Sequence, residues 1–254
     1  MKTLSGIESF REIRKTLSDK SVGFIPTMGN CHAGHVSLVE RARAENDICV
    51  VSIFVNPTQF NDSKDFTSYP KSLGEDKMLL ERCGCDYLLT PSVKAMYPDN
   101  YTWQVQETHL SQTMEGFARP GHFTGMLTVV MKLLQWVKPQ RAYFGEKDYQ
   151  QLQLVKAMCE AFFIDCDIVA CETVRNELGL ALSSRNQRLS AKGLEMAAQF
   201  PQLLRAATSR DEAEFMLTNA GFSVDYVTEQ DGRRFAAVSH EGVRLIDNIV
   251  LDAS

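Results

Sequence analysis

The chain has 254 residues and a formal charge of −5, with 27 Lys and Arg against 32 Asp and Glu. This length fits one large domain, or a medium domain with a small one, and is sufficient for a hydrophobic core. The acidic balance argues against nucleic acid as the main partner, because phosphate contacts along a nucleic acid need a basic face. Any anionic ligand must therefore be bound by a local cluster of donors.

The cysteines and the apolar runs bear on the cellular compartment. The seven cysteines include no CxxC pair, so we predict buried, reduced thiols and no zinc site. No apolar run reaches the length of a membrane span. The first residues, MKTLSGIESFREIRKTLSD, are amphipathic and of mixed charge, unlike a secretion signal. Together these features predict a cytoplasmic protein with no membrane partner.

The first part of the chain alternates helix-like and strand-like segments. Apolar residues at helical spacing predict a helix over 7–18, and VGFIP at 22–26 reads as a strand that stops at Pro26. A loop with two histidines and a helix over about 34–44 follow. The continuous apolar run at 47–55 is typical of a strand that is buried on both faces.

The same alternation continues to about residue 170. The predicted elements are a helix near 72–82, a strand at 86–90, a helix near 124–136, a strand at 142–144, a helix near 148–162 and a strand at 166–170. Alternating strands and helices predict an α/β fold, with a parallel sheet that has helices on both faces. We place this domain at residues 1–174.

The pattern of polar and apolar residues changes over 175–254, and this part is predicted to form a small C-terminal α+β domain. Helix-like segments cover 191–206 and 211–220. Alternating strand-like residues then follow, with turn signals at Asp231-Gly232 and Glu241-Gly242.

Three polar loops directly follow predicted strands, namely TMGNCHAGH, NPTQF and GEKDYQQ. In an open parallel sheet the ligand binds beyond the carboxyl ends of the strands. We therefore expect the three loops to converge on one site.

His32 and His35 lie three residues apart at a strand-to-helix corner. A metal site would need a third ligand, and the H-E-x-x-H spacing is not present. A purely structural pair would cap the turn. The phosphate interpretation fits better, because Gly29 and Gly34 allow close approach of the backbone and a helix N-terminus attracts anions. Two imidazole donors would extend such a site.

Several blocks resemble pantothenate synthetase, the pantoate–β-alanine ligase family, within the HxGH nucleotidyltransferase superfamily. They stand in order as PTMGNCHAGHVSLV, FVNPTQF, YPKSLGED, EGFARPGHFTGMLTVVMKLL, FGEKDYQQLQLVK and GLALSSRNQRLS, and the resemblance returns at RLIDN. It implies a Rossmann-like domain with a C-terminal lid domain, and usually a homodimer. It also implies that pantoate attacks ATP to give pantoyl adenylate, that β-alanine displaces AMP, and that Mg²⁺ is required.

The resemblance also implies roles for individual residues. The residues with an implied role at ATP, as phosphate, ribose or nucleotide contacts, are Met28, His32, His35, Gly145, Lys147, Asp148, Ser183, Ser184 and Arg185. Among them, the catalytic group would be His35, His32, Lys147, Ser183, Ser184 and Arg185.

Pantoate would contact Gln59, Gln151, Met28 and Asn56, although Asn56 could equally satisfy the turn before Pro57. Glu75 and Asp76 stand where the family has acidic residues, and are the candidate magnesium ligands. The role of Arg119 and His122 is left open: they could form a subunit contact, a wall of the site, or both.

Three positions depart from the family pattern: Cys31 replaces leucine, Lys71 replaces arginine and Leu178 replaces aspartate. Two other functions stay open at this stage. A nucleotidylyltransferase would stop after AMP transfer, and a non-catalytic nucleotide-binding module would need no cluster of Lys147, Ser183 and Arg185.

Overall fold

A computed structural model describes residues 1–61, 66–67, 69–70 and 72–251, so that Lys71 lies outside the described residues. The chain divides into two compact units. The first comprises Met1–Gly145 and Gln150–Cys171, and the second comprises Glu146–Tyr149 and Glu172–Ser254. The domain border between residues 174 and 175 stays a prediction, and that prediction counted the Glu146–Tyr149 segment with the first domain.

The first unit contains a six-stranded parallel sheet, which confirms the predicted α/β fold. The strand order is β1-β4-β3-β2-β5-β6. The strands are β1 Lys2–Leu4, β2 Val22–Thr27, β3 Ile48–Ile53, β4 Tyr87–Leu89, β5 Arg141–Gly145 and β6 Asp167–Cys171.

Helices connect these strands, and five of the described ones lie near the positions that the sequence predicts. Those described up to residue 161 are α1 Ile7–Thr16, α2 Ala33–Glu45, α3 Leu73–Arg82, α4 Val93–Met96, α5 Met114–Ala118, α6 His122–Val137 and α7 Tyr149–Ala161. Short 3₁₀ helices lie at Pro57–Gln59 and Leu110–Gln112. No helix within the described part of the chain is both long and apolar enough to cross a membrane.

The alternation of side chains along the strands places a hydrophobic core on each face of the sheet. On one face Ile25 and Val51 pack with Leu38 of α2. On the other face, Phe10 of α1 stacks edge-on against Tyr87, with ring centroids 5.8 Å apart. Covering both faces explains why β3 is apolar almost without a break.

β2 runs through Pro26 to Thr27, so the prediction that the strand stops at Pro26 was wrong. β2 pairs with β3 along its whole length, but pairs with β5 only at Gly23 and Phe24. Pro26 therefore lies where β2 has a neighbour on one side alone. A proline is tolerated there because its missing N–H removes no ladder bond on the unpaired side.

The strand order fixes the place of the ligand crevice. The chain passes from β2 to β3 on one side of β2, whereas β5 and β6 lie on the other side. The order therefore reverses between β2 and β5, and in open α/β sheets the ligand binds beyond the carboxyl ends of the strands at this point. The histidine loop follows β2 directly.

The second unit contains an antiparallel sheet and helices, as the α+β prediction requires. Its elements are α8 Ala191–Ala197, α9 Gln199–Ala206, α10 Arg210–Asn219, β7 Ser223–Gln230, β8 Arg233–His240 and β9 Val243–Val250. Both predicted turns join neighbouring strands. Asp231 and Gly232 have φ of 51° and 70°, and Glu241 and Gly242 have 49° and 71°. Two successive positive φ values are the signature of a type I′ hairpin turn.

The prediction of one helix over 191–206 was wrong, because two helices meet at Ala198. Pro201 lies in the first turn of α9. Its nitrogen carries no hydrogen, so it cannot continue the hydrogen-bond ladder to the carbonyl of Ala197. The first helix therefore ends and a second begins before the proline. The N-cap of α8 is Ser190, as the sequence suggested, and its hydroxyl accepts from Gly193 N–H at 3.0 Å.

Candidate active site

A buried carboxylate holds the loop between β2 and α2. Asp76 of α3, only 3% exposed, accepts from the backbone N–H groups of Asn30 at 3.0 Å and Cys31 at 2.7 Å. Ser72 donates its hydroxyl to the same carboxylate at 3.0 Å. Gly29 has φ of 82°, and a Cβ there would lie 3.0 Å from the Asp76 carboxylate. The close approach of this loop to α3 therefore requires the glycine.

His32 and His35 form a reciprocal cap at the start of α2. His32 is the N-cap residue, and its Nδ1 accepts from Gly34 N–H at 3.1 Å. The backbone N–H of His32 in turn donates to Nδ1 of His35 at 3.3 Å. The two rings are half-buried, with centroids 4.3 Å apart. This is a capping box in which imidazoles replace the usual hydroxyl and carboxylate.

The cap fixes the tautomer of both histidines. A ring nitrogen that accepts a hydrogen bond carries no hydrogen, so the proton of each neutral imidazole lies on Nε2. Each ring therefore has its hydrogen on Nε2, and both residues lie at the positive dipole end of α2. Structural capping and anion binding, which stood as alternatives in the sequence, use different nitrogens and are compatible.

Cys31 lies between these histidines and Asp76 but is not suited to be a nucleophile. Burial, followed by the nearby Asp76 carboxylate, raises the pKa of the Cys31 thiol to about 12. The thiol is therefore protonated at neutral pH, and a thiol is a poor nucleophile compared with a thiolate. All seven cysteines have free thiols in the structure, four of them buried and three half-buried.

The loop after β3 places Gln59 beside Met28. The amide nitrogen of Gln59 lies 3.3 Å from the sulfur of Met28, and its amide oxygen accepts from Asn56 at 3.0 Å. Asn56 is 1% exposed, and it also donates to the carbonyl of Gly125 and accepts from Tyr97 and Thr58. Asn56 thus orients Gln59 and the turn. Of its two predicted roles, these contacts favour satisfying the turn before Pro57 over contacting pantoate.

Arg119 and His122 support the same glutamine from the other side. Nδ1 of His122 donates to the carbonyl of Gln59 at 2.9 Å, which leaves Nε2 to accept from Arg119 at 3.3 Å. Arg119 also donates to the Gln59 carbonyl at 3.4 Å. These contacts support a place for both side chains in the wall of the site, which is compatible with a subunit contact as well.

The loop after β5 contributes predicted residues to both units. Gly145 ends β5, and a Cβ there would meet nothing within 4 Å. Gln151 is half-buried near the start of α7. Its neighbour Gln150 is buried and has a structural role. It donates to the carbonyls of Leu110 and Thr113, and accepts from Glu115 N–H at 3.0 Å.

The second unit holds the remaining predicted residues. Lys147 and Asp148 lie in a 3₁₀ helix, Glu146–Asp148, and their charged groups are 3.7 Å apart. Ser183 is the N-cap of another 3₁₀ helix, Ser184–Arg188, and its hydroxyl accepts from Arg185 N–H at 3.2 Å. Asp148 is exposed, whereas Lys147, Ser184 and Arg185 are half-buried.

The two candidate magnesium ligands differ in their surroundings. Glu75 is exposed, whereas Asp76 is buried and already accepts three hydrogen bonds. A carboxylate offers about four acceptor positions, and the Cys31 thiol also lies against this one, so Asp76 has little capacity left for a metal ion. Among the described residues no three His, Cys, Asp or Glu side chains gather in a metal-binding group. Magnesium in ATP sites needs only one or two carboxylates beside phosphate and water, so these residues fit a minor share of its coordination.

Several supporting residues were missed by the sequence reading. Gln150 and Tyr97 act through contacts between segments that are distant in the chain, and Asp76 was predicted only as a metal ligand. The YPKSLGED block was a usable signal, because an acidic residue in the first turn of a helix can receive N–H groups from a neighbouring loop.

The chain is similar to known proteins over almost its whole length. Residues 2–250 match the family model described as pantoate-beta-alanine ligase. A pantothenate synthetase of Coxiella burnetii (strain RSA 331 / Henzerling II) is 52% identical over 248 residues, which cover 98% of this chain and 96% of that protein. One of Legionella pneumophila (strain Corby) is 48% identical over 252 residues, covering 99% and 100% respectively.

The chain belongs to the pantoate–β-alanine ligase family. Solved structures of ligases from this family share its fold. A pantoate-beta-alanine ligase of Francisella tularensis, complexed with "Beta-gamma ATP" and beta-alanine, has 41% identity and a TM-score of 0.95, covering 100% of this chain and 99% of that one. A pantothenate synthetase of Thermus thermophilus has 40% identity and a TM-score of 0.91, covering 98% and 99%. The Rossmann-like fold and the family resemblance predicted from the sequence are thereby confirmed.

Proposed function

We propose that this ligase joins pantoate to β-alanine through a pantoyl adenylate. A carboxylate oxygen of pantoate attacks the α-phosphorus of ATP, and the bond to pyrophosphate breaks. The amine of β-alanine then attacks the acyl carbon, the bond to AMP breaks, and the amine loses its extra proton. Family membership over residues 2–250 supports this reaction, as do the nucleotide and β-alanine named for the Francisella enzyme.

The paired imidazoles at the start of α2 are the observation that carries the proposal. Their Nδ1 atoms are engaged by backbone N–H groups, so both Nε2–H groups serve as donors of fixed direction. Such donors stabilise the negative charge that develops on phosphate oxygens, and need no reorganisation during the reaction. The enzyme needs no nucleophile of its own, since the substrate carboxylate attacks. This agrees with the protonated state of the Cys31 thiol.

The second unit has its own group of predicted phosphate donors. In this proposal the ammonium of Lys147 neutralises phosphate charge as a point cation, and Asp148 accepts from the ribose hydroxyls. The hydroxyls of Ser183 and Ser184 and the guanidinium of Arg185 hold the pyrophosphate as it leaves. The hydroxyl of Ser183 accepts from the backbone of Arg185, and this leaves its hydrogen available for a phosphate oxygen.

Pantoate would be held by neutral amides. Gln59 has its amide oxygen bound to Asn56 and its backbone carbonyl bound to His122, so its side chain is held in one orientation. Gln151 and Met28 complete the proposed pantoate contacts. An amide orients the substrate hydroxyls and carboxylate without the strong charge pairing that would weaken the nucleophile.

Magnesium is part of the proposal, with Asp76 and Glu75 as its candidate protein contacts. The ion, when bound with ATP, neutralises phosphate charge and polarises the oxygens of the reacting phosphorus. Because the Asp76 carboxylate mainly binds the histidine loop, we assign most of the coordination to phosphate and water.

The test of the reaction is an assay of AMP formation with pantoate and β-alanine, each omitted in turn. We expect ATP–pyrophosphate exchange that depends on pantoate, and AMP release only when β-alanine is also present. A product that keeps the nucleotide would favour a nucleotidylyltransferase. Nucleotide binding with no turnover would contradict catalysis altogether.

We propose further that the enzyme is a homodimer of the cytoplasm. This rests on the family resemblance and on the predicted reducing environment of the seven thiols. Light scattering after size exclusion should give twice the chain mass of 28.6 kDa. A single-chain mass at the concentrations of the assay would contradict the dimer.

A further inference from the structure

The Glu146–Tyr149 segment carries Lys147 and is bound by the side chain of a residue about a hundred positions later. Asn248 of β9 donates its amide nitrogen to the carbonyl of Glu146 at 2.9 Å and to the carbonyl of Lys147 at 3.2 Å. Asn248 is 4% exposed. Both hydrogens of its amide are therefore committed to the backbone of the segment that presents the lysine.

The orientation of the Asn248 amide is fixed by an arginine. Arg233 of β8 donates to the amide oxygen of Asn248 at 2.7 Å, so the nitrogen must face the two carbonyls. Its other terminal nitrogen donates to the Glu146 carboxylate at 3.0 Å. The same guanidinium lies 4.1 Å from the centroid of the Tyr149 ring. The segment is thus held at its start, at Lys147 and at its end.

The neighbouring residue on β9 serves the other donor segment. Asp247 forms a two-point ion pair with Arg175, at 2.6 and 2.8 Å, and its side chain is 1% exposed. Arg175 donates to the carbonyl of Gly179 at 3.0 Å and bridges to Ala181, shortly before the Ser183–Arg185 segment. One stretch of β9 therefore anchors backbone near both groups of proposed phosphate donors.

We propose that Asn248 is a positioning residue for Lys147. Its amide, oriented by Arg233, binds the carbonyls of Glu146 and Lys147. These bonds fix the backbone there and so set the direction in which the Lys147 side chain projects. This inference rests on the proposed function, in which Lys147 binds ATP phosphates. These hydrogen bonds to the backbone matter because a misplacement of about 1 Å in a catalytic group can cost roughly 100-fold in rate.

The test is a double-mutant cycle between Asn248→Asp and Lys147→Ala. The aspartate keeps the shape of the side chain but places an oxygen where the two carbonyls need donors. We expect N248D alone to lower kcat/KM for ATP by roughly 10- to 100-fold. In the background of K147A the same change should have little further effect, since Asn248 acts through the lysine.

A matched control separates positioning from general damage to the sheet. Glu229→Gln is also an isosteric exchange, and Glu229 pairs with the buried Arg234 at 2.7 Å without contacting the Glu146–Tyr149 segment. We expect E229Q to leave kcat/KM for ATP within about 2-fold of the parent. Hydrogen exchange at the backbone of residues 146–149 should rise in N248D and stay unchanged in E229Q.

The outcomes distinguish this inference from the proposed function. Suppose that K147A lowers activity, and that N248D lowers it by the same factor in the K147A background as in the parent. Asn248 then does not act through Lys147, and the inference is wrong. If K147A keeps full activity, the role of Lys147 in the proposed function is wrong instead. Should N248D fail to fold, Asn248→Ser keeps one donor, and the same cycle with this variant decides between these outcomes.

Discussion

At the scale of single residues, the proposed function gives each histidine of the pair a structural role and a chemical role at once. Nδ1 of His32 and of His35 closes the cap of α2, and the ring hydrogen of each neutral imidazole is on Nε2. A serine or threonine cap would satisfy the backbone equally well, but would present no second donor at that distance from the chain. In the proposed function, therefore, phosphate binding explains why the cap residues are histidines, which the helix alone does not.

The histidine prediction is that His35→Ala lowers kcat by about 10²–10³, the usual loss for one preorganised donor. The same change removes half of the capping box and should reduce the free energy of unfolding by only about 0.5–1 kcal/mol. Steady-state kinetics and denaturant unfolding measure the two effects. His109→Ala is the matched control, since His109 is exposed and outside the proposed site. Full turnover in H35A would contradict the phosphate role.

Asp76 gives a second residue-scale prediction. Asp76→Asn replaces one acceptor oxygen by a donor that faces the N–H groups of the histidine loop. Leaving buried donors unsatisfied costs about 1–3 kcal/mol, so D76N should lower the free energy of unfolding by that amount. Glu75→Gln, at the exposed neighbouring position, should stay within about 0.5 kcal/mol of the parent. Equal stability of the two variants would show that Asp76 does not hold the loop.

At the scale of elements, the approach of α6 to the Pro57–Gln59 helix determines where Gln59 lies. A Cβ added at Gly125 would overlap the carbonyl of Thr58, so the two backbones touch at this point. Asn56 donates to the carbonyl of Gly125 across the same contact, at 3.1 Å. Gly125, the second glycine of the RPGHFTG sequence, is therefore required by the packing of α6 against the Pro57–Gln59 helix.

We predict that Gly125→Ala pushes the Pro57–Gln59 helix away from α6. The strain of overpacking should cost about 1–3 kcal/mol of stability, and the displaced Gln59 should raise KM for pantoate. Gly74→Ala is the control, because Gly74 lies in α3 with no atom within 4 Å of the added Cβ. That change should be neutral or should stabilise the helix, by up to about 1 kcal/mol. Thermal unfolding and pantoate titrations compare the two, and an unchanged KM in G125A would contradict this link.

At the scale of the whole molecule, the order of elements was predictable and several junctions were not. Long periodic segments, such as the apolar run of β3 and the amphipathic α1, carry their own signal in the sequence. The strand β1 is only three residues long, and it exists because Lys2–Leu4 pairs with Tyr87–Leu89. Such a segment has too few residues for a periodic pattern, so only the tertiary partner reveals it.

The residues of the candidate site also differ in how far the sequence alone could predict them. Residues with a proposed role at the substrate stood out as motifs, as His32, His35 and Lys147 did. Residues that act through backbone contacts did not, because Asn248 and Asp76 reach segments that the sequence does not show to be near. The Glu146–Tyr149 segment was assigned to the first domain for the same reason. Its bonds to β9 join residues about a hundred positions apart.

Both units contain carboxylates whose ionised form stabilises the folded state. The protein should therefore lose stability in acid. In the first unit, the Trp103 N–H, followed by the Lys132 ammonium at 3.0 Å, holds the pKa of Asp99 at about 2. Hydrogen bonds from Thr208 and Ser190 likewise lower the pKa of Glu212 and Glu241 in the second unit. A depressed pKa contributes stability above the unfolded-state pKa, and this is lost as the pH falls toward the folded-state value.

Asp99→Asn tests this sign directly. The unfolded-state pKa of aspartate is about 3.9, so the contribution of Asp99 is complete near pH 6 and disappears between about pH 4 and pH 2. D99N should therefore be less stable than the parent at pH 6, and the difference should shrink as the pH approaches 2. Urea midpoints measured across that range give the comparison, with Asp19→Asn as an exposed control. A difference that grows in acid would mean that the pKa of Asp99 is raised on folding, and that the Trp103 and Lys132 contacts do not act on its charged form.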